Sequence, residues 1–417
     1  LTGLDGGEIG MVEEFGGLAV RAIANPRARA DAPYRPEQAA VIDARAVAAA
    51  KAEISSWPGY APTPLLALPA LAAASGVARL WCKDEGQRFG LGSFKALGGS
   101  FAVFRHLTEV VRERTGTPVT SADLIAGRHR DAIRSVTVTT ATDGNHGRSV
   151  AWGAELFGCR CVVYMHEGVS EGRAEAVRAF GAEVVRVPGT YDDSVRACAE
   201  DARRFGRQVI SDTAYPGYAE IPRTVMHGYA VMVEELLAQL PAGDLPTHVI
   251  VQVGCGGFAA AVYGRLWERL GERRPRLVVV EPINADCVFR SGDAGRLVAA
   301  RGGLETVMGG LACGEVSLVA WPILETGAAA FMAIGDSWAV RAMRRLASGD
   351  GGDPRIVAGE AGAAGIAALM AASASESARR IVGLGSDSRV LAIVSEGATD
   401  AEVYRSIVGR APGAVAA

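Results

Sequence analysis

Short apolar runs alternate with amphipathic stretches along most of this 417-residue chain, and their lengths are those of strands and helices. Between residues 136 and 211 the order is regular. Val136 to Thr140, Cys161 to Met165, Glu183 to Val187 and Gln208 to Ser211 are apolar or β-branched runs of strand length. The intervening spacing predicts helices from the A-T-D-G-N-H-G turn to Phe157, from Glu171 to Phe180 and from Tyr191 to Gly206. Ahead of this block, Ala78 to Lys83 reads as a strand and Ala96 to Arg114 as a helix. Behind it come a helix from Tyr229 to Leu240, a buried strand from His248 to Val253, a helix to Leu270 and a strand from Arg276 to Val280. A helix from Gly359 to Ala372 and a strand from Arg389 to Val394 complete the pattern. Such β/α alternation predicts an α/β protein with mostly parallel sheets covered by helices on both faces.

Other segments are less regular. Residues 1–35 carry two prolines in A-N-P-R-A-R-A-D-A-P-Y and read as an extended arm. Pro36 to Ile54 has helical spacing with a weak, alanine-rich face. Trp57 to Leu65 is a proline-punctuated connection, Leu66 to Ala74 a helix, and residues 115–134 a polar surface excursion. Met11 would serve as an internal alternative start.

Bulk properties narrow the function. The length predicts two domains. A net charge of −3 and a pI near 6.2 leave no basic footprint for nucleic acid. No run of eighteen apolar residues predicts a membrane span, and the N-terminus L-T-G-L-D-G-G-E-I-G lacks the pattern of a signal peptide. Seven cysteines without a C-x-x-C motif suggest a reducing cytoplasm and no metal site.

The chemistry gathers where strands end. Lys95 sits at a strand-to-helix corner among Gly90, Gly92, Gly98 and Gly99, where backbone and a flat ligand can approach it. A desolvated lysine is a nucleophile whose usual product is a Schiff base. Gly254 to Gly257, in G-C-G-G-F, lies between a strand and a helix and suits an anion. It is neither G-x-G-x-x-G nor a P-loop, so a phosphate is favoured over a nucleotide. The A-T-D-G-N-H-G turn offers several polar side chains, and Asp143 or Asn145 would equally serve as a helix cap. Ser395 ends the last buried strand, where it would cap a turn or bond a ring nitrogen.

Lysine, phosphate loop, asparagine turn and strand-end serine are the four contacts that pyridoxal phosphate needs. The chain resembles the fold-type II pyridoxal phosphate enzymes, which include the tryptophan synthase β chain, and within them the diaminopropionate ammonia-lyases. The matching segments are K-D-E-x-x-R-F-G-L-x-x-F-K-x-L-G-G (Lys83 to Gly99), T-A-T-D-G-N-H-G-R (Thr140 to Arg148), Y-D-D-x-V-R (Tyr191 to Arg196), D-T-A-Y-x-G-Y-x-E-I-P (Asp212 to Pro222), L-A-C-G-E (Leu311 to Glu315) and E-G-x-T-D (Glu396 to Asp400).

The resemblance implies two open parallel-sheet domains with the cofactor in the cleft between them. The larger would comprise residues 1–94 and 216–417, and an inserted domain residues 95–215. It implies Lys95 as the Schiff-base lysine and Asn145 at the pyridoxal oxygen. Gly254, Cys255, Gly256 and Gly257 would hold the phosphate, and Ser395 would face the pyridine nitrogen. Asp143 and Asp212 match an acidic pair around the substrate, and Thr142, His146 and Tyr191 match pocket positions. The expected reaction removes ammonia from 2,3-diaminopropionate, L and D, giving pyruvate through aminoacrylate, in a cytoplasmic homodimer. Asp143 would take the Cα proton of the D isomer. Tyr215 stands where the family often has tryptophan, and S-E-G replaces T-E-G. The competing readings are a serine/threonine dehydratase or β-replacement enzyme on the same fold, and a non-catalytic metabolite-binding module.

Overall fold

The computed structural model describes residues 13–15 and 18–416; Met11 lies outside them. The described strands are β1 (Glu13–Phe15), β2 (Leu18–Ala24), β3 (Leu65–Ala67), β4 (Arg79–Asp84), β5 (Thr137–Ala141), β6 (Arg160–His166), β7 (Glu183–Val187), β8 (Gln208–Val209), β9 (His248–Gln252), β10 (Arg276–Pro282), β11 (Ala328–Ile334) and β12 (Arg389–Val394). The chain divides into two compact units, one of residues up to Arg35, Pro64–Asp84 and Gln239 onward, the other of Pro36–Thr63 and Glu85–Ala238.

The first unit carries an eight-stranded sheet in the order β1-β2-β11-β10-β9-β12-β4-β3. Its inner strands β11, β10, β9, β12 and β4 are mutually parallel. Every residue of β9 is buried, as expected of a strand covered on both faces. Ile250, Val278, Val280, Met332, Ile366 and Leu369 belong to one continuous core.

Several elements depart from the sequence reading. Leu65–Ala67, where the helix from Leu66 is expected, is β3, and that helix covers only Pro69–Ala74. The expected polar excursion 115–134 holds the short helices Ser121–Ile125 and Arg130–Ile133. Residues 18–24, read as part of an extended arm, form β2 and pair antiparallel with β11. Leu18, Val20 and Ala22 point into the core, a period-2 signal that the prolines downstream obscure. β11 (A-A-A-F-M-A-I) has no counterpart in the reading, because alanine has low strand propensity and burial within the sheet decides its conformation.

The second unit carries a parallel sheet in the order β7-β6-β5-β8. It extends beyond the 95–215 segment expected as an insert. The helix Glu220–Tyr229 packs on the helix Lys95–Thr115 with almost no gap. A Cβ on Gly98 would overlap the Tyr229 ring, and one on Gly228 would overlap the Leu97 carbonyl. This fit joins residues far apart in sequence, which a boundary drawn along the chain cannot register. The Pro36–Ile54 reading resolves into two helices, Pro36–Ala39 and Ala44–Ile54, the second opened by the Asp43 cap. Among the described residues no helix is long and apolar enough to cross a membrane.

His248, the first residue of β9, is 4% exposed. Burial, with Arg276 adding to it, lowers its pKa to about 4. The unfolded chain therefore binds the extra proton first as pH falls. The associated stability is complete above the ordinary histidine value, near 6.5, and is lost between there and about 4. His248→Asn removes the titrating group. The urea midpoint of the variant should vary less steeply with pH across that window than that of the parent protein.

Candidate active site

Lys95 owes its position to the turn that precedes it. Between β4 and the helix Lys95–Thr115, Arg88 is 1% exposed and held by two carboxylates. It donates to Glu85 through Nε and Nη2, both 2.8 Å, and to Glu235 through Nη1 and Nη2, both 2.7 Å. Thr63 donates to Glu85 and Tyr60 to Glu235. Bidentate charge-assisted pairs of this kind are geometrically demanding. They fix the turn from both sides. Phe89 follows at φ 52°, a left-handed conformation that costs a non-glycine residue about 1 kcal/mol or more. Its ring sits 4.8 Å from Trp152 and 6.0–6.2 Å from Tyr60 and Trp57, which offsets the strain.

Lys95 then projects its amine against Asp212. The Nζ lies 5.4 Å from the centre of the Phe94 ring and 5.7 Å from that of Tyr229, and Tyr229 Oη is 3.5 Å from Asp212 Oδ2. Burial opposes ionisation of Asp212, but the Lys95 cation overrides it and holds the carboxyl well below the usual range.

His146 Nε2 lies 2.9 Å from the Ile210 carbonyl, which can only accept, so Nε2 carries the proton. Nδ1 is then a bare acceptor, 3.8 Å from Asp212 Oδ2. It is buried without a hydrogen-bond partner. Burial, ahead of the opposing pull of Asp212, lowers the pKa of the ring, keeping it neutral. Thus the carboxyl ends of β5 and β8 bring Lys95, Asp212, His146 and Tyr229 together.

The other flank of β5 carries Asp143. Its Oδ1 is 3.1 Å from His166 Nε2, at the end of β6, and burial raises its pKa against the opposing pull of the His166 hydrogen bond and the Arg173 charge. Thr142 turns its hydroxyl to the amides of Gly144 (3.0 Å) and Gly147 (3.2 Å). It therefore does the capping that the sequence offered to Asp143 or Asn145. Asn145 opens the helix Asn145–Phe157. Tyr191 opens the helix Tyr191–Phe205 after the edge strand β7 and is 38% exposed.

In the first unit, Gly254 to Gly257 join β9 to the fourteen-residue helix Gly257–Leu270. Gly256 is its N-cap at φ 98°, so no side chain fills the helix end. A Cβ there would meet Leu324 at 2.9 Å and Ala320 at 3.1 Å, and one on Gly254 would meet Cys313 Sγ at 2.8 Å. Cys287 Sγ lies 3.8 Å from the Gly254 carbonyl. Amides at a helix N-terminus without side-chain competition are suited to phosphate.

Ser395 directly follows β12 and is 4% exposed. Gln252 Nε2 donates its two hydrogens to the Ile393 carbonyl (3.0 Å) and Ser395 Oγ (2.8 Å), and the Gly362 carbonyl lies 3.4 Å away, near enough to share one of them. The two carbonyls fix the orientation of the amide, so Ser395 accepts there and keeps its own proton to donate. A hydroxyl donor suits an unprotonated ring nitrogen. The aliphatic amine of the second unit, and the glycine loop and donating hydroxyl of the first, are each of a chemical type that suits pyridoxal phosphate.

Sequence reasoning missed Tyr229, His166 and Gln252. Gln252 alone had a clear signal, a polar residue inside the apolar run H-V-I-V-Q-V.

A family model described as "Pyridoxal-phosphate dependent enzyme" matches residues 56–396. The diaminopropionate ammonia-lyase of Escherichia coli (strain K12) is 40% identical over 364 residues, 86% of this chain and 90% of its own. The crystal structure of selenomethionine-labelled holo diaminopropionate ammonia lyase from Escherichia coli superposes with a TM-score of 0.85 at 35% identity, over 95% of this chain and 98% of that one. The same enzyme in complex with D-serine gives 0.84 at 36% identity, over 94% and 97%. With identity spread over most of both chains and a lysine, glycine loop and serine that suit the cofactor, this chain belongs to the diaminopropionate ammonia-lyase family of pyridoxal-phosphate dependent enzymes.

Proposed function

We propose that the protein eliminates the 3-amino group of 2,3-diaminopropionate, as its relatives' name describes. Ammonia and aminoacrylate leave, and hydrolysis of the latter with one water gives pyruvate and a second ammonia. Lys95 would hold pyridoxal phosphate covalently, Asn145 would contact its oxygen, Gly254, Cys255, Gly256 and Gly257 would hold its phosphate, and Ser395 would donate to its ring nitrogen. When bound, the cofactor supplies an electron sink for charge that develops at the substrate Cα. Ser395 donates a proton without adding charge, so it tunes the ring more gently than a carboxylate partner.

The remaining work falls to this chain's side chains. Lys95 Nζ moves the Cα proton of one enantiomer, and Asp143 that of the other. Asp212 stays ionised and requires a cation beside it. Lys95 fills that need in the structure described, and the second ammonium of a diamine takes its place. His146 Nδ1 accepts an N–H from that ammonium, and Tyr229 shields the pair from water. The Lys95–Asp212 pair carries this reading, because a hydroxy amino acid offers the carboxylate no second cation. The serine/threonine dehydratase reading has no such use for Asp212. The D-serine complex of a relative supports a pocket that admits D isomers. The reading also takes in a cytoplasmic homodimer, which light scattering would register as a doubled mass.

The test is pyruvate formation from L- and D-2,3-diaminopropionate, with L-serine and L-threonine alongside. Turnover of the diamines should exceed that of the hydroxy acids, and the reverse order would transfer the protein to the dehydratases. Asp143→Asn should lower D-isomer turnover by about a hundredfold, the scale of one lost acid–base group, and that of the L isomer far less. Equal losses would make Asp143 a binding residue.

A further inference from the structure

His166 stands at the carboxyl end of β6, beside the turn that carries Asp143, and the reaction as described gives it no task. Its geometry is fully specified. Nδ1 accepts the backbone N–H of Gly168 at 3.2 Å, so Nδ1 carries no proton. A neutral imidazole has one N–H, and it must therefore be on Nε2, which lies 3.1 Å from Asp143 Oδ1. The hydrogen bond runs from His166 to Asp143.

We propose that His166 is the positioning residue for Asp143: its neutral N–H occupies Oδ1 and leaves Oδ2 as the oxygen that exchanges the substrate proton. This inference rests on the reading of Asp143 as the base for the D isomer. The choice of partner matters chemically. Arginine paired two-pronged to this carboxylate would lock both oxygens and make a weak base. A neutral donor orients one oxygen while the other keeps its basicity. The groups that face Asp143 are the His166 N–H from β6 and the Arg173 cation from the helix Glu171–Arg178. Arg173 sends Nη1 to the Asp143 backbone carbonyl, at 3.3 Å, and so braces the turn. Burial raises the carboxyl's pKa, which brings it toward the range where a general base works at neutral pH.

Two measurements test the proposal. The first is the pH profile of kcat/KM on each enantiomer. In His166→Phe the ionised form of Asp143 loses its donor, so its pKa rises and the acid limb for the D isomer moves to higher pH, by about one unit. D-isomer kcat/KM at neutral pH falls by about tenfold or more, and the L-isomer profile keeps its shape. His166→Gln carries an N–H near the Nε2 position and restores most of the D-isomer rate. The second is nitrogen NMR of the holoenzyme with ¹⁵N-labelled histidine, which has only six such residues to resolve. The signal that vanishes in His166→Gln should report a bare Nδ1 and a protonated Nε2 around neutral pH.

An imidazole protonated on Nδ1, or equal loss on both enantiomers without a pH shift, overturns the role given to His166. If Asp143→Asn is D-selective while His166→Phe leaves the D profile unmoved, the inference on His166 falls and the reading of Asp143 survives. If Asp143→Asn shows no D-selectivity, both fall together.

Discussion

Lys95→Ala should abolish pyruvate formation from either enantiomer, a loss of at least about 10⁴-fold, because the proposed function makes this one residue both covalent anchor and base. Borohydride treatment followed by intact-mass measurement separates the two roles. The parent protein should retain a reduced adduct of one cofactor per chain, and the variant none. The phosphate loop, which belongs to another stretch of chain, should still let the variant bind cofactor reversibly. Retained turnover, or an adduct on a different lysine, would remove Lys95 from the centre of the chemistry.

Asp212→Asn should produce the next largest loss, about 10² to 10³-fold on both diamine enantiomers. The amide keeps the shape of the side chain but offers no charge to the Lys95 amine or to a substrate ammonium. Comparing the diamines with L-serine makes the test specific. The loss on serine should be smaller, since its leaving group carries no cation for Asp212 to hold. The pH profile distinguishes the two aspartates as well. Asp212 is ionised far below neutral pH, so it contributes no acid limb in the assay range. An acid limb seen with the D isomer therefore belongs to Asp143, whose pKa moves the opposite way.

Much of this arrangement is legible in the sequence because the residues concerned stand next to strand ends. β5 followed by T-D-G-N-H, β9 followed by G-C-G-G and β12 followed by Ser395 each announce a polar cluster directly after an apolar run. The pairing of β2 with β11 is not legible, since alanine-rich strands look like helix and only the neighbouring strands decide otherwise. Tyr229 is hidden for a similar reason. It reaches Lys95 because Gly98 and Gly228 bring two helices into close contact, a fit between residues about 130 positions apart. His166 reads as the polar end of a strand, and its meaning appears only when Gly168 fixes the proton on its ring.

The buried turn at Arg88 constrains how this protein can change over time. One guanidinium shared by Glu85 and Glu235 cannot lose any single member without stranding a charge away from water, at about 3–5 kcal/mol. Neighbours coupled this tightly do not tolerate stepwise replacement. Drift through single substitutions is blocked, and the three positions can be exchanged only as a set. The set spans two distant stretches, one just ahead of the lysine and one 140 residues beyond it. Genes recombined between those stretches inherit a working combination only when both parents carry it, so ancestry at the lysine and at Glu235 should travel together.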